Sequence, residues 1–199
     1  TRSFHVTGVQ TCALPIAGAG APFEDAWMTM LHAGNGGMCY IDSVELDEVY
    51  TPIRVHTRRL IEDSEGAGRF RGAPGIRVEL GPVNCRMEAG FVADGNIHIP
   101  LGARNGGPAS RSDQFRLTVK GELQRLDQWS QVWIEDGEVL VSIAWGGGGD
   151  GDPKSRDPER VLQDVREGIV SRNRAEEVYG IVIDDNMEID KTATQSLRA

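Results

Sequence analysis

The sequence predicts an α+β fold that is mostly β: an antiparallel sandwich- or barrel-like body followed by a small helical C-terminal tail. Three observations carry this. Apolar and polar residues alternate through the middle of the 199-residue chain, glycine is abundant at 25 residues while aromatics make up 6%, and helix-start signals gather only after Trp145. Alternation puts every second side chain on one face of a strand. Many glycines with few long apolar runs suit turns between short strands better than a helical bundle.

Within the body, Cys39 to Leu46 and Ile53 to Ile61 read as strands separated near Thr51-Pro52. Ile76, Val78 and Leu80 alternate with Arg77 and Glu79; Phe115, Leu117 and Val119 alternate with Arg116, Thr118 and Lys120; Val139, Val141 and Ile143 repeat the pattern. Asp136-Gly137, between Val132–Ile134 and Val139–Val141, is a tight-hairpin signal, because its turn type needs positive φ at both central residues. Asp94-Gly95 offers a second such turn, between Phe91-Val92 and Ile97–Ile99.

The pattern changes after Trp145. Gly146 to Gly149 and Asp150-Gly-Asp-Pro153 read as an irregular, turn-rich linker. Asp157-Pro158 supplies an N-cap and a first-turn proline, and Val161, Leu162, Val165 and Ile169 share one helical face. Ser171 caps a second short helix closed by Gly180, and Asp190 starts a last one through Leu197.

Residues 1–16 stand apart. Val6-Thr-Gly-Val-Gln-Thr-Cys-Ala-Leu-Pro-Ile16 resembles the in-frame translation of a sequencing-adapter oligonucleotide. The segment is read as artefact and disordered, which removes His5 and Cys12 from any site. The β-rich body then spans 17–145, and the Gly-rich linker with its helical tail spans 146–199.

Composition narrows the function. Acidic residues outnumber basic ones, 30 to 21, for a formal charge of −9. That balance repels phosphate backbones and anionic lipid, so nucleic acid and membrane are excluded as partners. Three cysteines without paired spacing indicate a reducing, cytoplasmic setting rather than a disulfide framework.

Several motifs invite chemistry. Gly66-Ala-Gly-Arg-Phe-Arg-Gly72 resembles a dinucleotide loop, but Pro74-Gly75 and a strand follow it, where the phosphate site requires a helix N-terminus. Arg69 and Arg71 are the weak candidates for holding an anionic substrate or phosphate, against the plain reading of loop arginines. Gly146 to Gly149 lacks the Lys-Ser/Thr ending of a P-loop and runs into Asp150 and Asp152, so a turned connector is the simpler reading. Asp42, Glu45, Asp47 and Glu48 gather four carboxylates. Taken as a strand, Glu45 and Asp47 share a face and Glu48 takes the other. Glu45 and Glu48 are the weak catalytic candidates, against a solvated acidic edge. His32, His56 and His98 are too scattered for a zinc set, so no metal ligand is named.

Three stretches together resemble the C-terminal region of the hydantoinase B/5-oxoprolinase family. They are Asp42 to Glu48 with Tyr50, Pro52 and Arg54-Val55; Asp63 to Gly72 with Pro74-Gly75; and Gly146 to Pro153 with Arg156-Asp-Pro158, Asp164-Val-Arg166 and Val178-Tyr-Gly180. The resemblance implies a piece of a subunit of an ATP-dependent hydrolase opening cyclic amides such as hydantoin or 5-oxoproline, inactive by itself. The related alternative is ketone carboxylation of the acetone carboxylase type; a non-catalytic β-rich binding or assembly module is the remaining one. It further implies an A-type partner subunit or fused domain that binds the ATP, and a divalent metal held in an N-terminal region this sequence does not contain. The sequence departs from the family at Asp150, where an aromatic is common, and over Asn84 to Arg111, which matches loosely.

Overall fold

A computed structural model describes residues 3–5, 18–27, 43–92 and 95–199 of the chain. Its ten strands are β1 (Ser3–His5), β2 (Ala19–Ala21), β3 (Glu24–Trp27), β4 (Ile53–Leu60), β5 (Ile76–Pro82), β6 (Arg86–Val92), β7 (Asp113–Leu117), β8 (Leu123–Arg125), β9 (Trp129–Ile134) and β10 (Val139–Ala144). Its α-helices are α1 (Val44–Tyr50), α2 (Pro158–Arg166), α3 (Arg172–Glu177) and α4 (Lys191–Arg198). The predicted class holds: a mostly antiparallel β body with a helical tail.

The body is a sandwich. One sheet has five strands in the order β4-β5-β10-β7-β8, the other three in the order β1-β6-β9, and β2-β3 form a separate pair. Alternation is the cause of the packing. Ile76, Val78 and Leu80 of β5 and Leu140 of β10 cluster with Met87 and Ala89 of β6 and Ile134 of β9. Met87 and Ile134 are wholly buried, and each such side chain withdrawn from water contributes roughly 1.5–3 kcal/mol before entropy is counted.

The turn at Asp136-Gly137 forms, with Gly137 at φ +86°, but it is not a hairpin. β9 pairs with β6 and β10 pairs with β5 and β7, so the chain crosses from one sheet to the other there. Residues Val83 to Cys85 make the matching corner between β5 and β6, and the Asn84 amide donates to Asp136 Oδ1 at 3.1 Å, tying the two corners together. A turn signal fixes a reversal of direction and says nothing about pairing. In the five-stranded sheet a tight hairpin is instead made by β7–β8, closed by Gly121 at φ +81° and by the Thr118 amide donating to the Glu122 carbonyl. Strand β7 accordingly ends at Leu117, and Val119 lies in the turn.

Other readings also change. Ile97–Ile99 is turn and coil rather than strand, and Asp94 lies outside the described residues, as do Cys39, Cys12 and His32. The stretch assigned to a strand through Leu46 is a helix from Val44: Ser43 caps it by accepting from the Leu46 amide, and Glu45 and Asp47 favour its positive end. Ser3–His5 departs from the reading of 1–16 as a disordered tail, since it pairs parallel to β6; residues 6–16 lie outside the description. In the tail, Asp157, Ser171 and Asp190 cap α2, α3 and α4 as expected. Val161, Leu162, Ile169, Val170, Ala175, Tyr179, Ile181 and Ile183 form a second core with Ala67.

Between the two cores, loop segments cross backbone to backbone. The Gly66 amide donates to the Gly147 carbonyl at 2.8 Å, Gly147 to Ala73 at 2.9 Å, Gly149 to Gly107 at 3.0 Å and Gly20 to Gly148 at 2.8 Å. Residues 146–150 are buried, so the run is an interior junction rather than a surface linker. A Cβ on Gly149 would fall onto the Ala67 carbonyl, whereas one on Gly121 would meet nothing within 4 Å. Gly149→Ala should therefore cost about 3 kcal/mol or more through overpacking. Gly121→Ala should cost about 1–2 kcal/mol, from its positive φ alone. Urea unfolding of both variants checks this, and equal losses would contradict the junction.

Candidate functional site

The junction collects the ionisable groups of the best-matched motifs. Arg156, 1% exposed, follows the short 3-10 turn Pro153–Ser155 and reaches two carboxylates. Its Nη1 and Nη2 donate to Asp25 Oδ1 and Oδ2 at 2.7 and 2.9 Å, and Nε and Nη2 to Asp164 Oδ2 at 3.1 and 2.8 Å. Arg71 Nε donates to the other Asp164 oxygen at 2.8 Å, and the Arg71 amide to Asp25 Oδ1 at 2.8 Å. Thus β3, the Gly66–Gly72 loop and α2 are joined by one charge network. Burial alone would raise the Asp25 carboxyl, but the Arg156 hydrogen bond and charge outweigh it and hold Asp25 below its ordinary range. Burial likewise works against the charge on Arg156, and its two carboxylates still hold that guanidinium above its ordinary value.

A second clasp sits beside it. Glu65 is buried, and its Oε1 accepts from Arg174 Nε at 2.8 Å and from the Tyr179 hydroxyl at 2.9 Å. Its Oε2 has no hydrogen-bond partner among the described residues. Burial is the dominant influence and raises the Glu65 carboxyl, despite Arg174. Burial also pushes the Tyr179 hydroxyl up, with the Glu65 charge adding to it.

The sequence candidates fall in different places. Arg71 is half-buried and committed to Asp164, so it is not available to a substrate anion. Arg69 is exposed, with its guanidinium 5.7 Å from the Phe70 ring centroid. Glu45 and Glu48 lie on α1, far in sequence from the arginine motif. Glu45 is fully exposed, and hydrogen bonds from Ser43 and from its own amide hold its carboxyl low. Glu48 Oε1 accepts from the Val55 amide at 2.8 Å, which pins α1 to β4. Asp150 is buried and paired bidentately with Arg104. Sequence reasoning missed Asp25, Glu65, Arg156, Asp164 and Arg174, because their partners lie up to 131 residues away.

These groups do not fit a nucleotide. The amides of Gly147 and Gly149 donate to the chain's own carbonyls, and the buried guanidinia are neutralised by aspartates. Among the described residues no group of three His, Cys, Asp or Glu is arranged to hold a metal ion. Nor is any described helix long and apolar enough to cross a membrane.

Fold and junction define a β-sandwich segment whose helical tail is locked on by buried ion pairs, with most of the junction's charged groups engaged internally. The chain belongs to the Hydantoinase B/oxoprolinase family, which it matches over residues 4–153. It is 35% identical over 189 residues to the caprolactamase subunit beta of Pseudomonas jessenii, covering 92% of this chain and 32% of that protein. To the acetone carboxylase alpha subunit of Xanthobacter autotrophicus it is 25% identical over 197 residues, covering 78% and 25%. It superposes on the crystal structure of the ATP-dependent caprolactamase from P. jessenii with a TM-score of 0.74 at 29% identity, over 91% of this chain and 32% of that one. The chain spans about a third of the length of the curated relatives it matches.

Two measurements test the junction. Arg156→Met leaves the buried Asp164 and the partly buried Asp25 without that partner and should cost about 3–5 kcal/mol. Arg160→Met, removing a half-exposed partner of Asp25, should cost less than about 1 kcal/mol. Chemical denaturation at neutral pH reads both. For Glu65 the folded-state carboxyl lies above its ordinary value of 4.5, so the folded protein binds the proton more tightly than the unfolded chain does. Its contribution is full below 4.5 and is lost as pH rises through the folded value. The stability of wild type minus that of Glu65→Gln should therefore fall between acid and neutral pH; a rise would reverse the assigned sign.

Proposed function

We propose that this chain is part of a hydantoinase B-type subunit of a cytoplasmic, ATP-dependent hydrolase of cyclic amides, working with an A-type partner that binds the ATP. The observation that supports this most is the 35% identity, sustained over 92% of the chain, to a caprolactamase subunit. Caprolactam is a cyclic amide, as are the hydantoins and 5-oxoproline after which the family is named. The segment's part in the enzyme is architectural. Asp25, Asp164, Glu65, Arg71, Arg156 and Arg174 hold chain to chain, and no step of ring opening is assigned to them. On this reading the segment is one part of its subunit, and the 199 residues alone turn nothing over.

The expected result has two parts. The 199-residue chain mixed with an A-type partner and ATP opens no ring. A longer polypeptide carrying residues 17–199 in its native gene releases ADP only when caprolactam, a hydantoin or 5-oxoproline is added. ADP release that instead requires acetone and bicarbonate would replace hydrolysis by carboxylation. Turnover by the short chain would refute its architectural role.

A further inference from the structure

Helix α1 is mounted with its amphipathic faces reversed. Asp47 and Glu48 face the body: Glu48 accepts from the Val55 amide and pairs with Arg54, and Asp47 pairs with Arg58 at 3.6 Å. Leu46, Val49 and Tyr50, at i, i+3 and i+4, form the opposite stripe, with Val49 75% and Tyr50 79% exposed. The helix cannot roll to bury that stripe without breaking the Glu48 and Asp47 clasps. Glu45 stands at the stripe's rim, one residue from Leu46 and fully exposed.

We propose that the Leu46–Val49–Tyr50 stripe is a docking face for another segment of the same longer polypeptide, presenting an apolar groove with a basic edge opposite Glu45. Three anchors at this spacing are what a groove takes from a helix. The choice of occupant follows from area. Three side chains fall far short of the roughly 1,000 Å² that a separate partner or a second copy needs, whereas a covalently tethered segment meets the stripe at high effective concentration and needs much less. Relatives of about three times this length supply such a segment. The inference rests on family membership and not on the reaction proposed above.

Hydroxyl-radical footprinting of Tyr50 tests it without a substitution. The rate is compared between the 199-residue chain and a chimera in which this chain replaces the matched third of the P. jessenii caprolactamase subunit beta. At least fivefold protection of Tyr50 in the chimera is expected, abolished by Val49→Glu. An unprotected Tyr50 in a chimera with native circular dichroism overturns the proposal. So does protection in the short chain that grows with concentration, which would make a second copy the occupant. If the chimera does not fold, footprinting the intact caprolactamase over the peptide aligned with residues 44–50 decides the question. Accessibility there overturns the proposal, and activity plays no part in the readout.

Discussion

The fold depends on a place where no side chain fits. At the junction, segments 66–72, 102–107 and 146–150 approach so closely that their peptide groups bond to one another, and a single Cβ at Gly66, Gly106 or Gly149 would overlap a backbone atom. Buried peptide groups must find partners, and here they find them across loops rather than along a ladder. This explains how a region with little regular structure can be interior. It also ties the tail to the junction, since Ala67 belongs to the tail's core while its carbonyl accepts from Gly107.

The ion pairs follow from that crossing. Close-packed loops bury Arg156 and withdraw Arg71 and Arg174 partly from water, and a cation in such a place is tolerated only when compensated. Asp25, Asp164 and Glu65 compensate them from β3, α2 and the loop itself. Removing one member leaves an unpaired buried charge, so the network acts as an all-or-none lock more than as a source of net stability. Arg104 with Asp150 is the converse on a smaller scale, a mostly exposed guanidinium letting a carboxylate occupy a buried position.

How much of this could be read from sequence depends on the range of the interaction. The alternation in Ile76–Leu80 is a local consequence of burying one face, and that strand forms as read; β10 forms too, but Leu140, on the face opposite Val139, Val141 and Ile143, is its residue in the sandwich core. The caps at Asp157, Ser171 and Asp190 are local as well, satisfied within three residues. Asp136-Gly137 announced its turn, but whether β9 and β10 pair is settled by β6 and β5, and no local signal reports that. Ser43 was a readable cap that the run of alternating residues around it obscured. The glycines misled most. Gly146–Gly149 has the composition of a connector, and only its crossings with residues 18–20, 66–73 and 101–107 make it an interior. The site was legible as motifs and illegible as contacts, since Arg156 and Asp25 meet across most of the chain.

The same reasoning separates a residue's membership in a recognisable motif from its chemical role. Arg69 and Arg71 sit two apart in one loop, yet one faces solvent beside Phe70 and the other is consumed by Asp164. Glu45 and Glu48 sit three apart on one helix, yet one lies exposed and bonded only within its own turn and the other pins α1 to the sheet. In each pair, sequence proximity to the motif predicts nothing about which member is available; the geometry of burial decides. A carboxylate or guanidinium whose lone pairs or protons are already spent in the interior cannot also act on a substrate without opening the junction it holds. Hence the groups this segment can offer to the rest of an enzyme are those pointing outward, among them the three apolar side chains that share one face of α1.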